Sequence, residues 1–193
     1  SEDVLEYITD NNITNSIILG HSLGGKVAMK LAFTHPDKIE KLIVTDISPR
    51  QYNTDFVQNL LRTLYKLPLE SFAKREEIDD ILSETYQDRG MRLFLMKNLY
   101  RNEHKEFDWR FNIDVLLEKV SNIQEADFIK GVCDVPTHFI RGENSNYITT
   151  EDELIINKHF SDVSIATIDG AGHWLHADNP ERLYNEVMGF CLM

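Results

Sequence analysis

Cysteine is almost missing from this chain. The two present, Cys133 and Cys191, lie far apart and form neither a CxxC pair nor a Cys/His ligand spacing. That excludes a disulfide scaffold and a cysteine-built metal site. Both residues read as small hydrophobes in a reducing compartment, so the expected location is cytoplasmic. Long apolar runs are missing too: no stretch approaches membrane-spanning length, and the residues from Ser1 onward do not form a signal peptide. Positive charge is scarce, with 20 basic against 32 acidic side chains and a net charge of −12. Such a surface repels phosphate backbones and anionic lipid, which argues against a nucleic-acid partner. Internal repeats and low-complexity segments are also lacking. What remains is a chain of 193 residues, 42% hydrophobic, which suits one domain with a sizeable core.

Its most informative stretch is Gly20-His21-Ser22-Leu23-Gly24-Gly25. Ser16-Ile17-Ile18-Leu19 ahead of it is a short β-branched run that predicts a buried strand. Lys26 to Phe33 behind it carries apolar residues at helical spacing. A Gly-x-Ser-x-Gly motif at a strand-to-helix turn presents its serine on a strained bend. The backbone N–H of Leu23 then points toward a developing oxyanion. Gly20 and Gly24 are expected to give the bend room that a Cβ would fill.

Around this elbow the chain alternates. Residues 2–10 predict an amphipathic helix, and Pro36 ends the elbow helix near His35. Leu42 to Asp46 is the next strand, so strand, helix and strand form a crossover unit with parallel pairing. From about residue 51 to 130 no strand is evident. Leucines and isoleucines recur at helical spacing among charges, interrupted by Trp109-Arg110-Phe111-Asn112 with two exposed-looking aromatics. This reads as a helical insertion without an obvious core of its own, inside a core made of residues 1–50 and 131–193. Thr137 to Arg141 predicts a strand, 151–160 a helix and Val163 to Ile168 a strand. Gly170-Ala171-Gly172-His173 follows, and Pro180 opens a terminal helix with Leu183, Val187 and Phe190 inward.

A serine needs a base within hydrogen-bond reach and a carboxylate that orients the base. Of the seven histidines, His21 adjoins the serine on a tight bend and diverges from it. His35 sits before a proline at a helix end. His173 follows a strand on a glycine-rich turn, at the carboxyl edge of a parallel sheet where sites of open α/β folds lie. The pair His173-x-x-His176 has no evident third ligand, so no metal is assigned.

Taken together, the motifs around Ser22, Asp46-Ile47-Ser48-Pro49, Trp109-Arg110-Phe111-Asn112, Gly142-x-Asn144-Ser145 and Gly170-Ala171-Gly172-His173-Trp174 resemble the α/β-hydrolase superfamily. More narrowly they resemble its YbfF-like esterases, whose relatives include mitochondrial abhydrolases and yeast ethanol acetyltransferase. The resemblance implies an α/β-hydrolase fold, a parallel sheet flanked by helices with the insertion as a cap. It implies Ser22 as nucleophile, His173 as base and no cofactor. The expected activity is that of a carboxylic ester hydrolase acting on small acyl esters or thioesters. The alternatives are an alcohol acyltransferase using the same acyl-enzyme, or a non-catalytic hydrolase-fold fragment. The superfamily's usual acid position holds Ser145 here, so Asp46 is the expected acid, as in the resembling branch, with Glu143 as runner-up. Trp174, His21, Trp109 and Phe111 are candidates to line the pocket, with packed core as the alternative role. The resemblance also implies further strands ahead of Ser1 and a His-Gly loop with a second oxyanion donor. No His-Gly dipeptide occurs, so the expectation is a C-terminal portion of such an enzyme.

Overall fold

The computed structural model describes residues 1–124 and 126–193. The chain opens with α1 (Glu2–Asp10), β1 (Ser16–His21), α2 (Leu23–Thr34) and β2 (Ile39–Thr45). A second unit, Asn53–Gln124, then interrupts it. That unit holds α3 (Asp55–Tyr65), α4 (Arg75–Thr85), α5 (Arg89–Lys97), the short strands β3 (Leu99–Arg101) and β4 (Phe107–Trp109), and α6 (Ile113–Lys119). The first unit resumes with β5 (Thr137–Gly142), α7 (Thr150–His159), β6 (Val163–Ile168), α8 (Leu175–Asp178) and α9 (Pro180–Leu192).

The first unit is built on a four-stranded, wholly parallel sheet of order β1-β2-β5-β6. Its central strands are apolar on both faces because helices cover both. Leu42, Val44 and Phe139 point to the side where α1, α2 and α7 pack, with Met29, Leu31 and Ile156 among the buried partners. Ile43, Ile140 and Ile168 point to the other side, where Phe190, Leu183 and Val187 of α9 meet them. Lys41, on β2, donates to the carbonyls of Phe190 and Cys191 and so satisfies the open end of α9. Among the described residues β1 pairs with β2 alone, and Ile17 and Leu19 on its outer face are 39% and 49% exposed. No helix among the described residues is long and apolar enough to cross a membrane.

The inserted unit departs from expectation twice. It contains a strand pair, β3 with β4, whose three-residue strands are too short to show alternation in sequence. It also has a hydrophobic cluster of its own, around Leu64, Ile78, Leu82, Leu99 and Phe107. Trp109 belongs to that cluster rather than to the surface. It is 7% exposed, its indole N–H donates to the Leu64 carbonyl, and its ring stacks on Phe111.

At the elbow, a Cβ on Gly20 would stand 2.3 Å from the carbonyl oxygen of Gly24, so only glycine fits. Gly24 itself has open space, contrary to expectation. The second crowded position is Gly25, whose Cβ would meet Ile47 at 2.5 Å. Gly20→Ala is therefore expected to cost about 3 kcal/mol or more, because the obstacle is backbone. Gly24→Ala, inside α2, should be neutral or stabilising by up to about 1 kcal/mol. Urea denaturation of both variants checks the contrast.

Candidate active site

Every strand of the parallel sheet delivers one part of the site at its carboxyl end. Ser22 follows β1, Asp46 follows β2, the Gly142–Ser145 turn follows β5, and the turn to His173 follows β6. Register makes them neighbours: His21 lies opposite Thr45, Thr45 opposite Ile140, and Gly142 opposite Ile168.

Ser22 occupies φ 53° and ψ −119°, a backbone state that L-residues rarely adopt. The strain aims its hydroxyl out of the bend, where Oγ lies 3.2 Å from His173 Nε2. The other imidazole nitrogen, Nδ1, donates to Asp46 Oδ2 at 2.7 Å. Asp46 is fully buried. Its Oδ1 accepts the Gly142 N–H at 3.2 Å, and its Oδ2 also accepts the hydroxyl of Ser145. A buried carboxylate without such donors would cost several kcal/mol, so this one depends on all three. Leu23, first residue of α2, has no carbonyl one turn back to receive its N–H.

The neighbouring loops lock this arrangement. Glu143 is engaged at the turn that carries His173, where its Oε2 accepts the N–H of Gly170 at 2.7 Å. Asp178 accepts the Gly172 N–H at 2.9 Å on the other flank. The Tyr147 ring stacks on the His173 ring with centroids 4.1 Å apart. Tyr52 ties Tyr147 down, donating to its carbonyl while accepting the Ser48 N–H. Behind Tyr52, the Arg50 guanidinium covers its ring and pairs with buried Asp152 at 2.7 Å. Burial and the Arg50 charge press the pKa of Lys26 down to about 8.

His21 turns out to be a brace. Its Nε2 lies 2.8 Å from the His173 carbonyl, and since a carbonyl only accepts, that nitrogen carries the proton. Its ring also packs against His173, Trp174 and His176. The structure thus brings Ser22, Leu23, Asp46, His173, His21 and Trp174 to one sheet edge, whereas Trp109 sits in the core of the inserted unit with partly buried Phe111 packed against it. Ser145 and Tyr147 are the site residues that sequence reasoning missed. Ser145 was visible as the odd residue at the usual acid position; nothing in the sequence marks Tyr147.

A serine elbow, a histidine after the last strand and a carboxylate joined by hydrogen bonds at one sheet edge, together with a matching family profile over residues 2–186, decide the kinship. The chain belongs to the alpha/beta hydrolase family. It is 33% identical to a putative esterase/lipase of Haemophilus influenzae, over 98% of this chain and 65% of that protein. It is 31% identical to an sn-1-specific diacylglycerol lipase of Xenopus laevis, over 98% of this chain and 62% of that one. The chain therefore spans somewhat under two thirds of these relatives. Among solved structures it superposes on a marine microorganism esterase with a TM-score of 0.91 and 37% identity, covering 98% of this chain and 75% of that one.

Two histidines link this fold to pH. Burial lowers the pKa of His21, helped by the charges of His173 and His176, and burial also lowers that of His138. The unfolded chain takes up protons at these residues near pH 6.5, whereas the folded chain resists. The unfolded state then binds more protons, so stability is complete above about pH 6.5 and declines as pH falls through it. Denaturant unfolding between pH 7.5 and 5.5 should show that decline, with a shallower slope in His21→Asn. An unchanged slope in that variant would refute the contribution of His21.

Proposed function

We propose that this chain carries the catalytic centre of a serine ester hydrolase that cleaves small acyl esters or thioesters through an acyl-enzyme. The observation that supports this most is the unbroken relay from Ser22 Oγ through His173 to buried Asp46. The names of two related proteins, an esterase/lipase and an esterase, support ester hydrolysis as the reaction.

The steps follow from the proton positions. With Nδ1–H engaged by Asp46, the Nε2 lone pair of His173 faces Ser22 and accepts its proton as Oγ attacks the acyl carbon. The carbonyl π electrons move onto oxygen, and the Leu23 N–H stabilises that oxyanion; one such donor is worth about 3 kcal/mol. Asp46 steadies the imidazolium that forms. When the tetrahedral species collapses, the bond to the leaving oxygen or sulfur breaks. His173 returns its proton to the leaving group, and the acyl group stays on Ser22. Water then repeats the sequence: His173 takes its proton, hydroxide adds to the acyl carbon, and Ser22 leaves with the proton restored. Ser145 and the Gly142 N–H keep Asp46 aligned while the imidazole cycles. His21 holds the histidine backbone from the opposite side.

A fluorophosphonate probe should label Ser22, and Ser22→Ala should lose both labelling and turnover of an activated ester. Asp46→Asn keeps the shape but favours the wrong imidazole tautomer, so kcat should fall roughly 10²–10⁴-fold. Glu143→Gln, which only loosens a surface brace, should cost less than about tenfold. Labelling that survives Ser22→Ala would move the nucleophile. A crippled Glu143→Gln beside an active Asp46→Asn would move the acid.

A further inference from the structure

The chain is strongly acidic, yet the inserted unit gathers positive charge around one concavity. This shallow depression of about 590 Å³, broadly open to solvent, is lined by Lys74, Arg75, Arg101 and Arg110 with the rings of Tyr100 and Phe107. Glu76 is the one acid in its lining. Among the described residues none of the four cations takes part in an ion pair, although the chain has 32 acidic side chains to offer.

Two of the guanidinium groups are fixed in place. Arg75 donates to the carbonyls of Met96 and Leu99, each at 2.6 Å. Arg101 donates to the carbonyls of Ala73 and Lys105, with its guanidinium 4.1 Å from the centre of the Phe107 ring. Backbone carbonyls hold these groups without cancelling their charge, so each is pre-oriented with N–H groups to spare. Arg110 lies 5.4 Å from the Tyr100 ring, and neither it nor Lys74 spends its side chain on a hydrogen bond within the described residues. The cavity also includes the first turn of α4, an 11-residue helix starting at Arg75. The opening N–H groups of a helix carry partial positive charge. The nearby Glu77 carboxylate is already engaged by the N–H groups of Ala73 and Lys74.

We infer that this concavity binds a phosphate-bearing anion. The lining holds four cations and the Glu76 carboxylate, with Glu77 and Asp108 beside it, the latter accepting the Tyr100 hydroxyl at 3.3 Å; a phosphate dianion can span several of the cationic donors at once. Guanidinium forks match its oxygens in pairs. The repulsion expected of the whole acidic surface toward polyanions does not extend to this spot, because charge in water is screened within about 10 Å. The phosphate is either free in solution, on a small ester, or on a lipid headgroup.

Titration of the full chain with inorganic phosphate, followed by amide NMR, tests this. Saturable shifts are expected at residues 74–76, 100–101 and 107–110, with a dissociation constant on the order of 1 mM for so open a site. The double variant Lys74→Gln/Arg110→Gln, which removes no internal hydrogen bond, should weaken binding at least about tenfold while its melting temperature stays near wild type. Glycerol 3-phosphate competing with inorganic phosphate identifies a soluble ester as the source; phosphatidic acid vesicles displacing it identify a headgroup. The inference is overturned if shifts fail to saturate, if sodium chloride at equal ionic strength reproduces them, or if the double variant binds phosphate as tightly as the parent.

Discussion

A carboxylate with no exposed surface is the constraint on which the rest of this site depends. Asp46 is 0% exposed, and its two oxygens receive three donors from three places in the chain: Gly142 N–H, the Ser145 hydroxyl and His173 Nδ1–H. Removing water from a carboxylate is costly enough that each donor becomes structurally necessary. One charge thus ties the ends of β2, β5 and β6 together. It also sets the proton inventory of His173, since a carboxylate on Nδ1 leaves Nε2 free to accept. The same contact that satisfies burial leaves Nε2 facing Ser22 Oγ at 3.2 Å.

The parallel sheet makes this economical. All four strands point the same way, so every loop after a strand lies at the same edge. Helices on both faces bury the central strands, and that packing is what holds the edge rigid. Leu42, Ile43, Val44, Phe139 and Ile140 have no exposed surface, and they alternate between the two clusters. Loops that carry chemistry need a scaffold of this kind, because a displacement of an ångström across the 3.2 Å contact between Ser22 and His173 would break the relay.

The parts legible in the sequence are those set by local pattern. The β-branched runs of β1, β2, β5 and β6 and the glycine-rich elbow each state their own structure, and the histidine after the last strand follows from the edge rule. Two things were not legible for physical reasons. The inserted unit forms its core between helices distant in sequence, Leu64 against Ile78 and Leu99, and no local period records such contacts. The bracing by Tyr147, Tyr52 and His21 depends on where loops cross, and the sequence gives their residue types but not their meeting points. Ser145 lies between these cases. Its place in the sequence stands out because the superfamily's usual acid is missing there, but only the fold shows that its hydroxyl bonds the buried Asp46 carboxylate. Gly24 marks a limit of motif reasoning: the motif contains it, but the crowding falls on Gly20 and Gly25.

Backbone strain in this chain is concentrated where the chemistry is proposed. Among the described residues, apart from turn residues Asn12, Asn15 and Lys105, the non-glycine residues with positive φ are Ser22 and Asp46. Such a conformation costs roughly 1–3 kcal/mol and persists only where its surroundings enforce it. The enforcement is visible in the sheet. Ser22 N–H donates to the Thr45 carbonyl at 3.0 Å, Asp46 N–H to that of Ile140 at 2.8 Å, and Glu143 N–H to that of Ile168 at 3.0 Å. Each strand therefore extends its ladder one residue beyond its regular end, and at β1 and β2 that extra bond falls on the strained residue itself. The ladder fixes the nitrogen while the left-handed turn swings the side chain out of the pleat and over the sheet edge. Ser22 and Asp46, at the ends of adjacent strands, share a positive φ, and the sheet's own hydrogen bonds hold both residues there.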